Sequence, residues 1–255
     1  MENTRSASTT SRVLVVLQAL ADANGPVCTA DLAATTGLDR GEVHRILQEL
    51  LGAGFASTEP GTGLFRTGPA ALGLGNQARR RDALRDAAMP VVARLAALTG
   101  ETATLSARQG YERCYVGQVE SMQPIRISVT LGERIPLVSG ANGLAILAFL
   151  PDADVEQVLR LPRPRWTAST VTDVAAIRER LAVVREQGWA RTDGERVRHS
   201  ASVAAPVLAP DGVPAGSLSV AYLAERADEE AIAALPEAVL AAAAEATERL
   251  RDAVA

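Results

Sequence analysis

Apolar residues recur at helical spacing in three short segments near the start of the chain. Residues 11–23 carry Val13, Leu14, Leu17 and Leu20, the stripe of an amphipathic helix. A second helix starts at about Thr29, with Leu32, Ala33 and Ala34 apolar, and is broken by Gly37, which enters the left-handed backbone region at little cost. Asp39 is placed to cap a third helix, and Glu42, three residues on, to reach back to the cap's amide. Val43, Ile46, Leu47 and Leu50 face inward there, which leaves Arg40, Glu42, His44, Arg45, Gln48 and Glu49 outside. Residues 55–58 and 63–66 then flank the turn Glu59-Pro60-Gly61-Thr62, as two strands of a hairpin would. Two helices at a glycine turn followed by a hairpin make a winged helix-turn-helix, whose second helix enters the major groove. A plain helical hairpin shares the first part of that pattern.

Residues 70–98 are helix-rich, with a break expected near Pro90. The part before Pro90 reads as a linker helix, and residues 89–98 as the first helix of a second domain. Beyond Gly100 the pattern alternates. Strands are expected over 102–108, 113–119 and 125–130, helices over 144–150, 153–161 and 174–187, and closing strands over 189–192, 201–208 and 217–222. An alanine-rich helix from Pro236 to Val254 ends the chain. Strands, inserted helices and strands again predict an α+β domain around a mostly antiparallel sheet. The expected plan is a disordered tail at 1–10, a winged helix-turn-helix at 11–70, a linker helix at 71–88 and an effector-binding domain at 89–255.

Composition narrows the chemistry. The 255 residues are 47% hydrophobic but 3% aromatic, so Ala, Val and Leu must build the core. All 26 basic residues are arginine, and net charge is −4, which argues against indiscriminate nucleic-acid binding. Residues 1–80 hold 7 Arg against 7 Asp+Glu, and Arg79-Arg80-Arg81 with Arg85 lies just past the wing. Cys28 and Cys114 are the two cysteines, with no metal-binding spacing. No segment reads as a signal peptide or membrane span, so a cytoplasmic protein is expected.

Catalysis is not expected. His44 belongs to the reading helix, and His199 stands among arginines without a nucleophile motif nearby. Cys114 lies mid-strand in an apolar pattern and reads as core. A ligand pocket fits better. Residues 139–143 form a glycine-rich turn opening a helix, where free amides suit a carboxylate, although a turn without a ligand has the same pattern. Thr192-Asp193-Gly194-Glu195, Ser202 and Ser219 can add polar groups. No cofactor or metal is called for.

Taken together, these segments resemble the isocitrate-lyase-regulator (IclR) family of bacterial transcription regulators, over nearly the whole chain. The motifs are Gly37-Leu38-Asp39 through Val43-His44-Arg45, Phe65-Arg66-Thr67-Gly68, Leu98-Thr99-Gly100-Glu101-Thr102, Pro136-Leu137, Ala141-x-Gly143-x-Ala145, Glu195, Ala204-Ala205-Pro206-Val207 and Leu218-Ser219-Val220. The resemblance implies a winged helix-turn-helix, a linker helix and a GAF-like effector domain. It also implies homodimers, commonly dimers of dimers, that bind operator DNA and respond to small organic or aromatic acids. DNA contacts would fall on Arg40, Gly41, Glu42, His44, Arg45, Gln48 and Arg66, and effector contacts on Ala141, Asn142, Asp193, Ser202 and Ser219. This chain departs from the pattern in places. Gly41-Glu42 stands where a Ser-Thr pair is usual, His199 for a glycine, Ser202 for a common Cys, and Asn142 for a small residue. Arg196, Arg198 or His199 could add positive charge to a more polar pocket. A sensor that keeps the fold without binding DNA is the alternative.

Overall fold

The computed structural model describes residues 8–23, 25–80, 82–226 and 228–254, with the side chains of 78–80 left aside. The chain divides into two compact units, 1–81 and 82–255.

The first unit holds α1 (Thr9–Asp22), α2 (Thr29–Thr36), α3 (Arg40–Gly52), the strands β1 (Ala56–Thr58) and β2 (Phe65–Thr67), and α4 (Pro69–Arg80). Its core joins Val16 and Leu20 of α1, Leu32 of α2, and Val43, Ile46, Leu47 and Leu50 of α3 to Phe65 of the hairpin. The first helix begins inside the stretch 1–10 expected as a tail. Ser8 caps α1 by accepting from the Ser11 amide, so Ser8, Thr9 and Thr10 belong to the helix, while residues 1–7 lie outside the described residues.

The second unit holds α5 (Ala83–Thr99), β3 (Thr102–Gln109), β4 (Glu112–Val119), β5 (Arg134–Pro136), α6 (Gly140–Leu147), α7 (Asp152–Arg160), α8 (Val174–Gln187), β6 (Ala190–Asp193), β7 (Ser200–Leu208), β8 (Pro214–Leu223) and α9 (Glu229–Val254). The six strands form an antiparallel sheet in the order β5-β4-β3-β8-β7-β6. Alternation gives it two different faces. Ala103 and Leu105 of β3, Val203 and Ala205 of β7, and Leu218, Val220 and Tyr222 of β8 join α5 and α9 in one apolar core. The opposite face carries the buried Thr104, Ser106, Ser217 and Ser219, a polar set rare for a buried surface, with the part-exposed Ser202 beside them. Helices α6, α7 and α8 build the second core, around Leu144, Ile146, Val158, Ile177 and Leu181.

Several boundaries correct the sequence reading. In the helical region 70–98 a new helix starts after Asp82, and no break falls at Pro90. Asp82 caps α5 through the Arg85 amide, and Pro90 sits inside that helix. The buried row Leu84, Ala87, Val91, Val92 and Leu95 holds α5 together across the lost hydrogen bond. Packing likewise carries α9 through Pro236, past the start expected there. The strand expected at 125–130 pairs with no ladder. Side chains tie it instead, since Gln118 donates to Val129 O at 3.0 Å and accepts from its N–H at 2.9 Å, and Thr102 Oγ1 donates to Ile127 O at 2.6 Å. The short strand β5 was not foreseen. Among the described residues no helix is long and apolar enough to cross a membrane.

Candidate functional site

The polar face of α3 is built by its cap. Gly37 takes the left-handed conformation at φ 71°, and Asp39 Oδ1 accepts from the amides of Gly41 (2.8 Å) and Glu42 (3.4 Å). A Cβ at Gly41 would stand 3.1 Å from that carboxylate oxygen, so the missing side chain suits a tight cap. Arg40, Gly41, His44, Arg45 and Gln48 are exposed, opposite the buried Val43, Ile46, Leu47 and Leu50. Glu42 corrects the expectation. Its carboxylate neither closes a capping box nor joins the exposed row, because Arg12 of α1 holds it at 2.7 Å. The acidic side chain that stood against anionic DNA is thereby neutralised and mostly buried, at 19% exposure. On the hairpin, Arg66 is exposed and its Nε donates to Ser57 Oγ at 3.3 Å across the ladder. The Arg79-Arg80-Arg81 cluster falls on side chains outside the described residues.

In the second unit the polar sheet face encloses a cavity of about 180 Å³. Ala141, Asn142, Ser202 and Ser219, four of the residues named from the sequence, line it. The Asn142 amide donates to Ser219 Oγ at 2.8 Å and accepts from Ser217 Oγ at 2.9 Å, and Ser219 Oγ bonds Thr104 Oγ1 at 2.8 Å. The Ala141 N–H, one of the amides expected to be free, donates to Thr192 Oγ1 at 3.1 Å, and Thr192 bonds Ser202 at 3.2 Å. Asp193 does not line the cavity. The pleat of β6 turns Thr192 inward and Asp193 out, where it is exposed beside Arg191. His199 and Arg198 are exposed as well. His199 has φ 64°, the positive-φ position among described non-glycine residues, with Nδ1 2.6 Å from Glu225.

The residues that dominate the cavity were not singled out in the sequence. Arg113 of β4 is 1% exposed. Its guanidinium donates to Ser106 Oγ at 3.1 Å and Ser139 O at 3.5 Å, and stacks 4.6 Å from the Tyr115 ring centre. Its Nε has no partner, and among the described residues it forms no ion pair. Burial pushes its pKa below the ordinary value, yet a guanidinium keeps its proton in a protein. Tyr115 and, from farther off, the charge of Glu133 favour the cation, but no carboxylate touches it, and a buried cation without a contacting anion is costly. Arg196, weighed earlier only as one of three basic residues, lies across the cavity over the Trp166 ring at 5.4 Å. Its Nη2 donates to Glu133 at 2.6 Å and its Nη1 to the Tyr115 hydroxyl at 3.5 Å. One signal was available: Arg113 and Tyr115 are two apart on a strand, so they share a face and can stack. Burial also pushes the Cys114 thiol up, consistent with a core cysteine and not a reactive one.

Comparison with known proteins decides the family. The IclR helix-turn-helix domain matches residues 9–60, and the C-terminal domain of the bacterial transcriptional regulator IclR matches residues 77–248. The chain belongs to the IclR family. As an IclR protein it is a DNA-binding transcriptional regulator that responds to a ligand. It is 32% identical over 92% of its length, and 84% of the other chain, to the HTH-type transcriptional regulator BhcR of Paracoccus denitrificans. It is 34% identical to the glycerol operon regulatory protein of Streptomyces griseus, over 85% and 92% of the two chains. Among IclR structures, a homologue from Microbacterium hydrocarbonoxydans solved with 4-hydroxybenzoate shares the fold at a TM-score of 0.78 and 24% identity, covering 96% of this chain and 100% of that one.

Proposed function

We propose that this regulator binds a small organic carboxylate on Arg113 and reads its operator with Arg40, His44, Arg45, Gln48 and Arg66, acting as a homodimer. The buried guanidinium, without a contacting carboxylate among the described residues, in an otherwise polar, hydroxyl-lined cavity carries the reading. A carboxylate would supply the missing charge, accept charge-assisted hydrogen bonds from the guanidinium, and leave Ser202 and Thr104 to hold a further polar group. That a relative of the same fold is solved with 4-hydroxybenzoate, itself a carboxylate, supports the choice. The structure gives Gly41 a part in the cap and gives Glu42 to Arg12, so neither is proposed to touch DNA.

The test is calorimetry with acids and their uncharged amides, such as benzoate against benzamide and butanoate against butanamide. Acids should bind and amides should not. Equal affinity for both would remove Arg113 from the reading. On the DNA side, Arg45→Ala should weaken operator binding by about 1–3 kcal/mol in a gel-shift titration, the range for one base-contacting or anchoring arginine. Operator affinity that does not move would strike Arg45 from the contact set.

A further inference from the structure

Four ionised side chains line the cavity: Arg113, Arg196, Glu133 and Glu195. Glu195, 5% exposed, is neutralised from outside by Arg180 at 2.7 Å, and Arg196 by Glu133 at 2.6 Å. Arg113 is the one with no carboxylate in ion-pair contact among the described residues; Glu133, engaged with Arg196, acts on it only from farther off. The cavity is therefore short of a single negative charge. The two arginines are bridged by one residue, since Tyr115 lays its ring on Arg113 and its hydroxyl against Arg196. A ligand anchored on Arg113 and extending along Tyr115 reaches a guanidinium that already holds a carboxylate.

We infer that Glu133 sets the charge the cavity accepts, so that it takes monocarboxylates and rejects dicarboxylates. This rests on the reading that Arg113 binds the effector's carboxylate. The second carboxylate of a diacid must either displace Glu133 from Arg196 or lie beside it. Displacement leaves Glu133, 35% exposed, next to two like charges, and lying beside it is the same repulsion in another arrangement. Solvent reaches the Arg196–Glu133 pair in part, which screens the repulsion and keeps the expected discrimination modest. Removing the charge of Glu133 frees Arg196 and gives the cavity a second unmatched cation. Glu133 is thus a specificity residue that acts through Arg196.

The experiment compares matched acids by calorimetry at low salt: butanoate with succinate, pentanoate with glutarate, and benzoate with terephthalate. The wild-type chain should favour the monoacid of a pair by about tenfold or more. In Glu133→Gln the diacid-to-monoacid ratio of Kd should fall by about tenfold or more, and in the double variant Glu133→Gln/Arg196→Gln it should return toward the wild-type value. Arg196→Gln alone provides a measurement that does not depend on the Glu133 variant folding. It leaves Glu133 free to neutralise Arg113 and should weaken every monoacid. Diacids bound as tightly as monoacids by the wild type, or a ratio unmoved in Glu133→Gln, overturns the inference while the Arg113 reading stands. A wild type that binds no carboxylate, or an Arg113→Gln variant that binds them unchanged, overturns the Arg113 reading and this inference with it.

Discussion

Arg113→Gln is expected to weaken carboxylate binding by about 3 kcal/mol, roughly a hundredfold in Kd, and to leave operator affinity without ligand unchanged. The size follows from the surroundings. The guanidinium is buried and its Nε is unpartnered, so its contacts with an anion would form in a site screened little by water. Melting temperature separates this role from a structural one. An arginine kept for stability would lower the melting temperature when replaced. Here glutamine removes a buried charge that no carboxylate touches, and loses the contacts to Ser106, Ser139 O and the Tyr115 side chain together with the more distant attraction of Glu133. The free variant should therefore melt no lower than the wild type, and it should lose the rise in melting temperature that the ligand gives the wild type. A clear drop in the melting temperature of the free variant would count against a ligand-binding purpose.

Gly143→Ala should be strongly destabilising, at about 3 kcal/mol or more. Every residue of α6 is buried, and a Cβ at position 143 would stand 2.3 Å from the Leu137 carbonyl oxygen, a backbone atom that cannot swing aside. The helix would have to lift off the segment before it and carry Ala141 and Asn142 out of the cavity wall. Gly73→Ala provides the control. It lies in α4 with nothing within 4 Å of the added atom, and alanine should stabilise that helix slightly, by about 0.5–1 kcal/mol. Chemical denaturation of both variants reads the contrast, and equal midpoints would refute the steric account.

The architecture was largely legible because its signals are local and periodic. The Gly37 break, the Asp39 cap and the inward row of α3 each depend on a few neighbouring residues, and α8 falls at the expected 174–187. The misplaced boundaries have a common cause. Pro90 and Pro236 are strong local stop signals, and buried rows packed on the sheet outweigh them. The stretch 125–130 has strand composition, but the Gln118 side chain occupies the backbone groups a ladder would use.

The cavity was only half legible. Ala141, Asn142, Ser202 and Ser219 lie on elements whose pattern was clear. Asp193 was misassigned because its neighbour Thr192 takes the inward side of the pleat. Arg113 went unnoticed because a charged residue in a strand ordinarily points to solvent. Its chemical distinction is that no carboxylate among the described residues touches it, a three-dimensional fact that no spacing encodes. The meaning of Glu42 was hidden in the same way, since its partner Arg12 lies thirty residues upstream on another helix.

The sheet order has a consequence for how the protein is made. Its central pair joins β3 to β8, the first strand of the sheet in the chain and the last, with Thr102 opposite Ala221. Thr104 and Ser219, bonded to each other side by side on the cavity floor, are 115 residues apart. On the ribosome the unit of residues 1–81 can fold as soon as it emerges, whereas the effector cavity has no floor until β8 has been synthesised and inserted beside β3. For an interval during its synthesis every copy has a complete reading head and no means of hearing a signal.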